Sequence, residues 1–308
     1  MCRQYGTLMA LAAICILFGI LRPRAFVSAV NFWNITRQMA ILAVISIGAT
    51  LIMSVEEFDL SVGTIASFGG VFSAVLAIRG MPFGAALVLA TVCGLFLGCV
   101  NGFIVTRFKV MSFIITLAMS RVIYGFTYWL SGGAIIFNGI PASFKFAGTH
   151  KFGPVPLLTL VMIAAAGVFF YVTEYTAFGR KLYAIGGNEQ AVRIAGIRVE
   201  RYKTMAFAVA GAMACCAGVL LASRVGSASP TAGDAYMLNA YAAVFIGKTM
   251  LRGGVPNVLG TMAGVAIFTV LANGLTIMQV PAYIQNIMTG LIIVCAVVAQ
   301  KLGSRERD

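Results

Sequence analysis

The sequence is short of charge, since only 10% of its 308 residues are Asp, Glu, Lys or Arg and just nine are acidic. Soluble domains carry about a quarter charged residues, so a water-soluble globular fold is excluded. Histidine occurs once, as His150, and none of the seven cysteines forms a C-x-x-C pair. Metal and redox sites need several such ligands at defined spacings. We therefore expect no metal and no cofactor.

What the sequence has instead is long apolar segments, with 60% hydrophobic residues overall. A bilayer core of ~30 Å needs about 20 apolar residues per helix. That rule predicts an all-α, polytopic transmembrane helical bundle in which residues 1–308 form a single transmembrane domain. The ten predicted spans are 6–22, 38–55, 61–78, 82–106, 111–131, 154–173, 204–223, 235–250, 256–277 and 282–300. The first could instead be a secretory signal, because residues 27–29 offer a weak cleavage site.

The 22 basic residues outnumber the acidic ones, and they lie mostly between the apolar segments. This is the pattern of residues that set membrane topology rather than of a nucleic-acid surface, so we expect no nucleic-acid partner. With the N-terminus inside, 14 basic residues fall on the cytoplasmic side and seven outside. We therefore expect both termini in the cytoplasm. Arg121 lies within a span and could pair with an acid, snorkel or face water.

The longest polar interval is residues 173–203, between two predicted spans. It holds six basic residues: Arg180, Lys181, Arg193, Arg198, Arg201 and Lys203. Gly186 and Gly187 indicate a turn, and Asn188 can cap a following helix with Glu189 in its first turn. Gly196 can end that helix in the left-handed conformation. The pattern predicts a short helix over residues 189–195 on the cytoplasmic face.

Three stretches resemble one known family. They are GRKLYAIGGNEQAVRIAGI at 179–197, FDLSVG at 58–63, and the run from SRVGSASPTAGDAYMLNAYAAVFIG through GTMAGVAIFTVLANGL. The chain is thereby similar to ribose-type sugar ABC transporter permeases from about residue 30 onward. The resemblance implies a multi-pass subunit of the bacterial inner membrane, in contact with lipid. It also implies three partners: a second copy of the chain or a related permease, a cytoplasmic ABC ATPase and an extracytoplasmic sugar-binding protein.

The resemblance also assigns site residues. It makes residues 174–203 a cytoplasmic coupling loop, whose Ala191 and Ala195 present small side chains to a partner. The residues expected to couple to the ATPase are Gly179, Arg180, Tyr183, Gly186, Gly187, Asn188, Glu189, Ala191, Arg193, Ala195 and Gly196. For the sugar path, polar side chains with few fixed charges are needed. The candidates are Asn239, Asn273, Asp59 and Ser61, and for the two asparagines hydrogen bonding between helices is the alternative.

Glu56, Glu57 and Asp59 form an acidic cluster at the end of the second span. We expect a short polar break between two helices, with Asp59 or Ser61 capping the next. A proton relay deep in the bilayer is the alternative. The resembled permeases usually have two glycines where Glu56 and Glu57 stand, so the chain departs from their pattern here.

Residues 242–249, AAVFIGKT, match the loosest form of a phosphate-binding loop, but a continuous apolar run precedes them and the required strand–loop–helix context is missing. No Ser/His pair, metal cluster or paired carboxylates remain, so we expect a transport subunit and not an enzyme. The predicted function is import of a monosaccharide, most simply a ribose-like pentose, with ATP hydrolysed on a partner chain. The alternative is an ion-coupled secondary transporter of a small polar solute, which would need a coupling-ion site near the bilayer midplane.

Overall fold

The computed structural model describes residues 6–248 and 254–305, and within them almost all regular structure is α-helical. The first eight helices are α1 (Gly6–Leu21), α2 (Pro23–Phe26), α3 (Ala29–Met53), α4 (Val62–Ile78), α5 (Phe83–Phe108), α6 (Ser112–Ser131), α7 (Phe146–Thr149) and α8 (Leu157–Tyr175). The others are α9 (Ala177–Gly187), α10 (Glu189–Ile194), α11 (Val199–Val225), α12 (Asp234–Gly247), α13 (Val258–Ile277) and α14 (Ala282–Arg305).

Each of the ten predicted spans contains one long helix, namely α1, α3, α4, α5, α6, α8, α11, α12, α13 or α14. Six of these, α3, α5, α6, α8, α11 and α13, are long and apolar enough to cross a membrane by length and composition alone. The shorter α1 and α4 are also apolar. The all-α multi-pass bundle is therefore confirmed, and the large apolar surfaces of α5 and α6 lie exposed on its outside.

Helix α11 runs through the middle of the bundle and packs against α3, α4 and α5. The contact with α5 depends on a row of glycines at four-residue spacing, Gly94, Gly98 and Gly102. A Cβ added at Gly94 would overlap Cys215, and one added at Gly98 would overlap the carbonyl of Phe207. A Cβ added at Gly102 would lie 2.7 Å from Cα of Thr204. Since lipid provides no hydrophobic drive for helix association, such close backbone contact gives the dispersion energy that holds these helices together.

A second glycine row joins α13 to α12. Gly260 packs on Gly247, and Gly264 packs on the backbone of Ala243. Residues 242–247 therefore belong to a buried helix and not to a loop of exposed amides, which rules out a phosphate-binding loop over them. Thr249, the last residue of that sequence match, lies outside the described residues.

The core lies among α3, α4, α11, α12 and α13, where aliphatic and alanine side chains are almost fully buried. Hydroxyl pairs link the helices within it. Thr50 of α3 and Thr261 of α13 share a hydrogen bond of 2.7 Å, and Thr159 of α8 donates to Thr36 of α3 at 2.9 Å. Helix α1 packs against α13, with Phe18 buried over Gly274.

The two ends of the bundle carry different structures. At one end, between α6 and α8, lie a 3-10 turn (Ala142–Lys145), α7 and a small antiparallel hairpin of β1 (Lys151–Phe152) and β2 (Val155–Pro156). At the other end lies the 174–203 loop with α9 and α10. The 27 residues of α11 span about 40 Å, so the two ends are a membrane thickness apart.

Candidate functional site

The 174–203 loop contains a helix that the sequence analysis missed. Helix α9 begins after Thr176, whose hydroxyl accepts a hydrogen bond from the amide of Gly179 at 3.4 Å. Its buried side chains are Leu182 and Ile185, one turn apart. The turn predicted at Gly186 and Gly187 is wrong, because both residues belong to the last turn of α9 and neither has a positive φ. A Cβ at Gly186 would overlap the carbonyl of Ser54, so close packing accounts for this glycine.

The predicted short helix is present as α10, and it ends one residue earlier than expected, with Ala195 as its C-cap. Asn188 accepts a hydrogen bond from the amide of Ala191 at 2.9 Å, which is the predicted cap. Gly196 has φ +76° and ends the helix in the left-handed conformation. Val192 is the buried residue of α10, whereas Ile194 is 89% exposed. The helix thus presents most of its surface, including Ala191 and Ala195, to the outside.

An apolar cluster attaches this loop to the bundle. Leu182, Ile185 and Val192 pack together with Leu51 and Val55, at the end of α3. Of the other residues assigned to coupling, Arg180 donates to the carbonyl of Tyr175 at 3.3 Å, and Tyr183 is half-buried. The loop is therefore a packed structure on the end of α3, with α10 at its surface.

Ion pairs add a second attachment. Lys203 contacts Oε1 of Glu57 at 2.6 Å and Oε2 of Glu189 at 2.8 Å, and Arg193 contacts Glu189 at 2.7 Å and also Glu200. The hydrogen bond from Lys203 lowers the pKa of the Glu189 carboxyl below its ordinary value, because it stabilises the charged carboxylate. Exposed pairs contribute about 0.2–1 kcal/mol. The side chain of Lys203 is less exposed than that of Arg193, so salt screens its contacts less.

Residues 54–61 form the predicted break, here called the α3–α4 break, and hydroxyl groups from other helices hold its backbone. The amide of Phe58 donates to the hydroxyl of Ser112 of α6 at 3.2 Å, and the amide of Leu60 donates to that of Thr116 of α6 at 3.0 Å. Between them, the amide of Asp59 donates to the hydroxyl of Tyr241 of α12 at 2.7 Å. A buried non-helical segment must satisfy each of its amides. The bundle does so here at three successive residues.

Asp59 and Ser61 lie inside the bundle rather than on a cavity wall, and both have no exposed surface. Oδ1 of Asp59 accepts from the amide of Ser61 at 2.8 Å and from its hydroxyl at 2.5 Å. Asn101 of α5 donates to that same hydroxyl at 2.8 Å. Asp59 therefore bonds the residue that precedes α4, and the side-chain cap predicted for this helix is not formed, since Ser61 at the N-cap position makes no capping bond either. Their place on a sugar path stays a prediction.

The second candidate region is a cavity of about 550 Å³ at the far end of α11, among α3, α11, α12, α13 and α14. This volume is in the range of small-molecule sites. Its polar lining residues are Gln38, Arg224, Tyr236, Asn239, Thr269 and Thr289. Asn239 therefore faces a space that could hold a sugar. Asn273 does not line it, and instead donates to Asn31 of α3 at 3.0 Å.

Sequence reasoning found Asn239 but missed most of this cavity. Tyr236 and Asn239 stand three residues apart, so one helical turn brings both to the same face. That spacing was a usable signal. In the sequence, Arg224 is one of the seven basic residues placed outside the cytoplasm, and Gln38 is the first residue of the predicted span 38–55. Arg121 lies exposed on α6 and acts electrostatically on Asp234.

Comparison with known proteins gives a match over nearly the whole chain. Residues 31–297 match the family described as "branched-chain amino acid transport system / permease component". The ribose import permease protein RbsC of Bacillus subtilis (strain 168) is 36% identical over 303 residues, covering 98% of this chain and 94% of the relative. RbsC of Escherichia coli (strain K12) is 34% identical, covering 96% and 92%. The xylose transport system permease protein XylH of the same strain is 33% identical, covering 94% and 89%. No solved structure matches.

Proposed function

The chain belongs to the family of branched-chain amino acid transport system permease components, and we propose that it is the membrane subunit of an ATP-driven importer of a monosaccharide. The observation that carries this proposal is the similarity to ribose and xylose permeases over 94–98% of the chain. The subunit is a transporter of the bacterial inner membrane and not itself an enzyme. A ribose-like pentose is the expected cargo.

The 174–203 loop is the proposed contact with the ATPase. Its support is the geometry of α10, a capped helix that is packed on the bundle by one side and presents Ala191, Ile194 and Ala195 on the other. An isoleucine that is 89% exposed at the tip of a polar loop is a suitable anchor for an apolar groove. ATP would be hydrolysed on that partner chain, and the motion would enter the bundle through α10.

The cavity at the other end of α11 is the proposed entrance of the sugar path. Its amide, hydroxyl and phenol groups match the hydrogen-bonding pattern of a sugar, and its aromatic side chain offers a face for the sugar ring. It opens on the side opposite the 174–203 loop, where an extracytoplasmic sugar-binding protein would deliver its cargo. A second copy of the chain, or a related permease, would complete the path.

ATP-driven uptake separates this proposal from ion-coupled secondary transport. In right-side-out vesicles carrying the permease, its ATPase and its binding protein, we expect uptake of radiolabelled ribose or xylose when ATP is enclosed. An imposed proton or sodium gradient without ATP should give no uptake, because an ATP-coupled permease draws no energy from the gradient. Vesicles that contain only the permease are the control. Uptake by these control vesicles under a gradient would contradict the proposal.

The proposed topology has ten spans with both termini in the cytoplasm. Six of the long helices precede the 174–203 loop and four follow it. Because both numbers are even, the termini lie on the same side as the loop. Basic residues favour the cytoplasm for that side.

Labelling of single introduced cysteines tests this arrangement. Gln190 of α10 and Thr149 of α7 are both exposed, at opposite ends of the bundle. In intact spheroplasts, an impermeant maleimide should label Thr149→Cys above the parental background and leave Gln190→Cys unlabelled until the membrane is permeabilised. The reverse pattern would invert the topology, and labelling of both from outside would change the number of spans.

A further inference from the structure

The 174–203 loop and the α3–α4 break meet at one lysine. Nζ of Lys203 lies 2.6 Å from Glu57 in the break and 2.8 Å from Glu189, the first residue of α10. Glu57 is 146 residues away from Lys203 in the chain. The side chains of Lys203 and Glu57 are 13% and 17% exposed, so water competes weakly for the contact between them. The side chain of Glu189 is 37% exposed, so the second contact is more open to water. We call the three side chains the Glu57–Lys203–Glu189 bridge.

Helix α10 is held by three kinds of contact: the burial of Val192, the ion pair of Arg193 with Glu200, and this bridge. It has six residues, and Val192 is the one that it buries. The bridge constrains the N-terminal end of α10 through Glu189 and links this end to the α3–α4 break through Glu57.

On the other side, the bridge ends at a segment that is tied to the transport bundle. Directly after Glu57, three successive amides are bonded to Ser112 and Thr116 of α6 and to Tyr241 of α12. Ser54, at the start of the same break, is covered by Gly186 of α9. A displacement of α10 that pulls on Lys203 would therefore reach α6 and α12 through one continuous set of contacts. Helix α12 also carries Tyr236 and Asn239 of the cavity.

We propose that Lys203 is a positioning residue that holds α10 to the α3–α4 break, so that movement of α10 on the ATPase is passed to α6 and α12. This inference rests on the proposed function of the 174–203 loop. Glu57 then has a role in coupling as well as in the break, because its carboxylate binds Lys203 on the side of the bundle.

The test compares Lys203→Met and Glu57→Gln with the parent in vesicles, each assembled with the ATPase and the binding protein. Both variants should still co-purify with the ATPase, since neither residue lies on the exposed face of α10. Sugar taken up per ATP hydrolysed should fall at least about fivefold, the lower end of coupling between sites. The double variant should lose no more than either single one, because both break the same bridge. Lys203→Arg keeps the charge and should restore the ratio.

Glu56→Gln is the matched control, since Glu56 is the exposed neighbour of Glu57 and takes no part in the bridge. A parental transport ratio in Lys203→Met and Glu57→Gln would overturn the inference. So would additive losses in the double variant. Loss of ATPase binding in Lys203→Met would make Lys203 part of the docking surface and also overturn it. If the parent itself shows no ATP-driven uptake, the proposed function fails instead.

Discussion

Replacing Ala191 by Trp should abolish ATP-driven uptake while the permease still inserts into the membrane. Ala191 is exposed on α10, outside the apolar cluster that supports the loop. In the proposed complex this face lies in a groove of the ATPase, where an indole group has no room. Overpacking costs about 1–3 kcal/mol, which corresponds to about a tenfold to hundredfold loss of affinity.

The measurement is the amount of ATPase that co-purifies with the permease, together with uptake in vesicles. Ala142→Trp is the matched control, because Ala142 is also exposed but lies in the 3-10 turn at the opposite end of the bundle. This control should bind the ATPase like the parent. An Ala191→Trp variant that binds and transports normally would remove α10 from the proposed coupling surface.

The second large effect is expected from Ala272→Trp. Ala272 lines the cavity of about 550 Å³ beside Phe268 and Thr269 on α13. An indole group there occupies space that the sugar needs, so uptake should fall at least about tenfold. Since the cavity lies about 40 Å from α10, along the length of α11, binding of the ATPase should be unchanged.

Uptake and ATPase co-purification are measured side by side for this variant. Ala272→Ser, which keeps the cavity open and adds only a hydroxyl group, should transport like the parent. If Ala272→Trp retains full uptake, the sugar path does not pass through this cavity. The role of Asn239 as a lining residue would then be lost as well.

The two expected losses have different signatures, and together they separate coupling from permeation. Ala191→Trp should lose both the ATPase and transport. Ala272→Trp should keep the ATPase and lose transport. A variant of the Glu57–Lys203–Glu189 bridge should keep the ATPase and hydrolyse ATP with little transport. Each readout therefore assigns one part of the molecule to one step.

Features that depend on residues close together in the chain were determined by the sequence alone. The ten apolar segments predicted where the long helices lie, because the length of an apolar run is a local property. Asn188 and Gly196 predicted the two ends of α10, since a cap is formed by residues within one turn of the helix end. The four-residue spacing of Gly94, Gly98 and Gly102 is likewise visible in the sequence, and it places the three glycines on one helix face that suits close packing.

Only the tertiary structure decided which distant side chains meet. Lys203 contacts Glu57 because α11 begins beside the end of α3. No sequence pattern within α3 or α11 predicts that proximity. The same holds for Asn273, whose partner Asn31 is 242 residues away, and for Gly186, which faces the carbonyl of Ser54 rather than forming a turn. A glycine allows both positive φ and close approach, so its sequence position alone does not distinguish them. Helix packing selects the partner, and in this chain it selects the partners at both proposed sites.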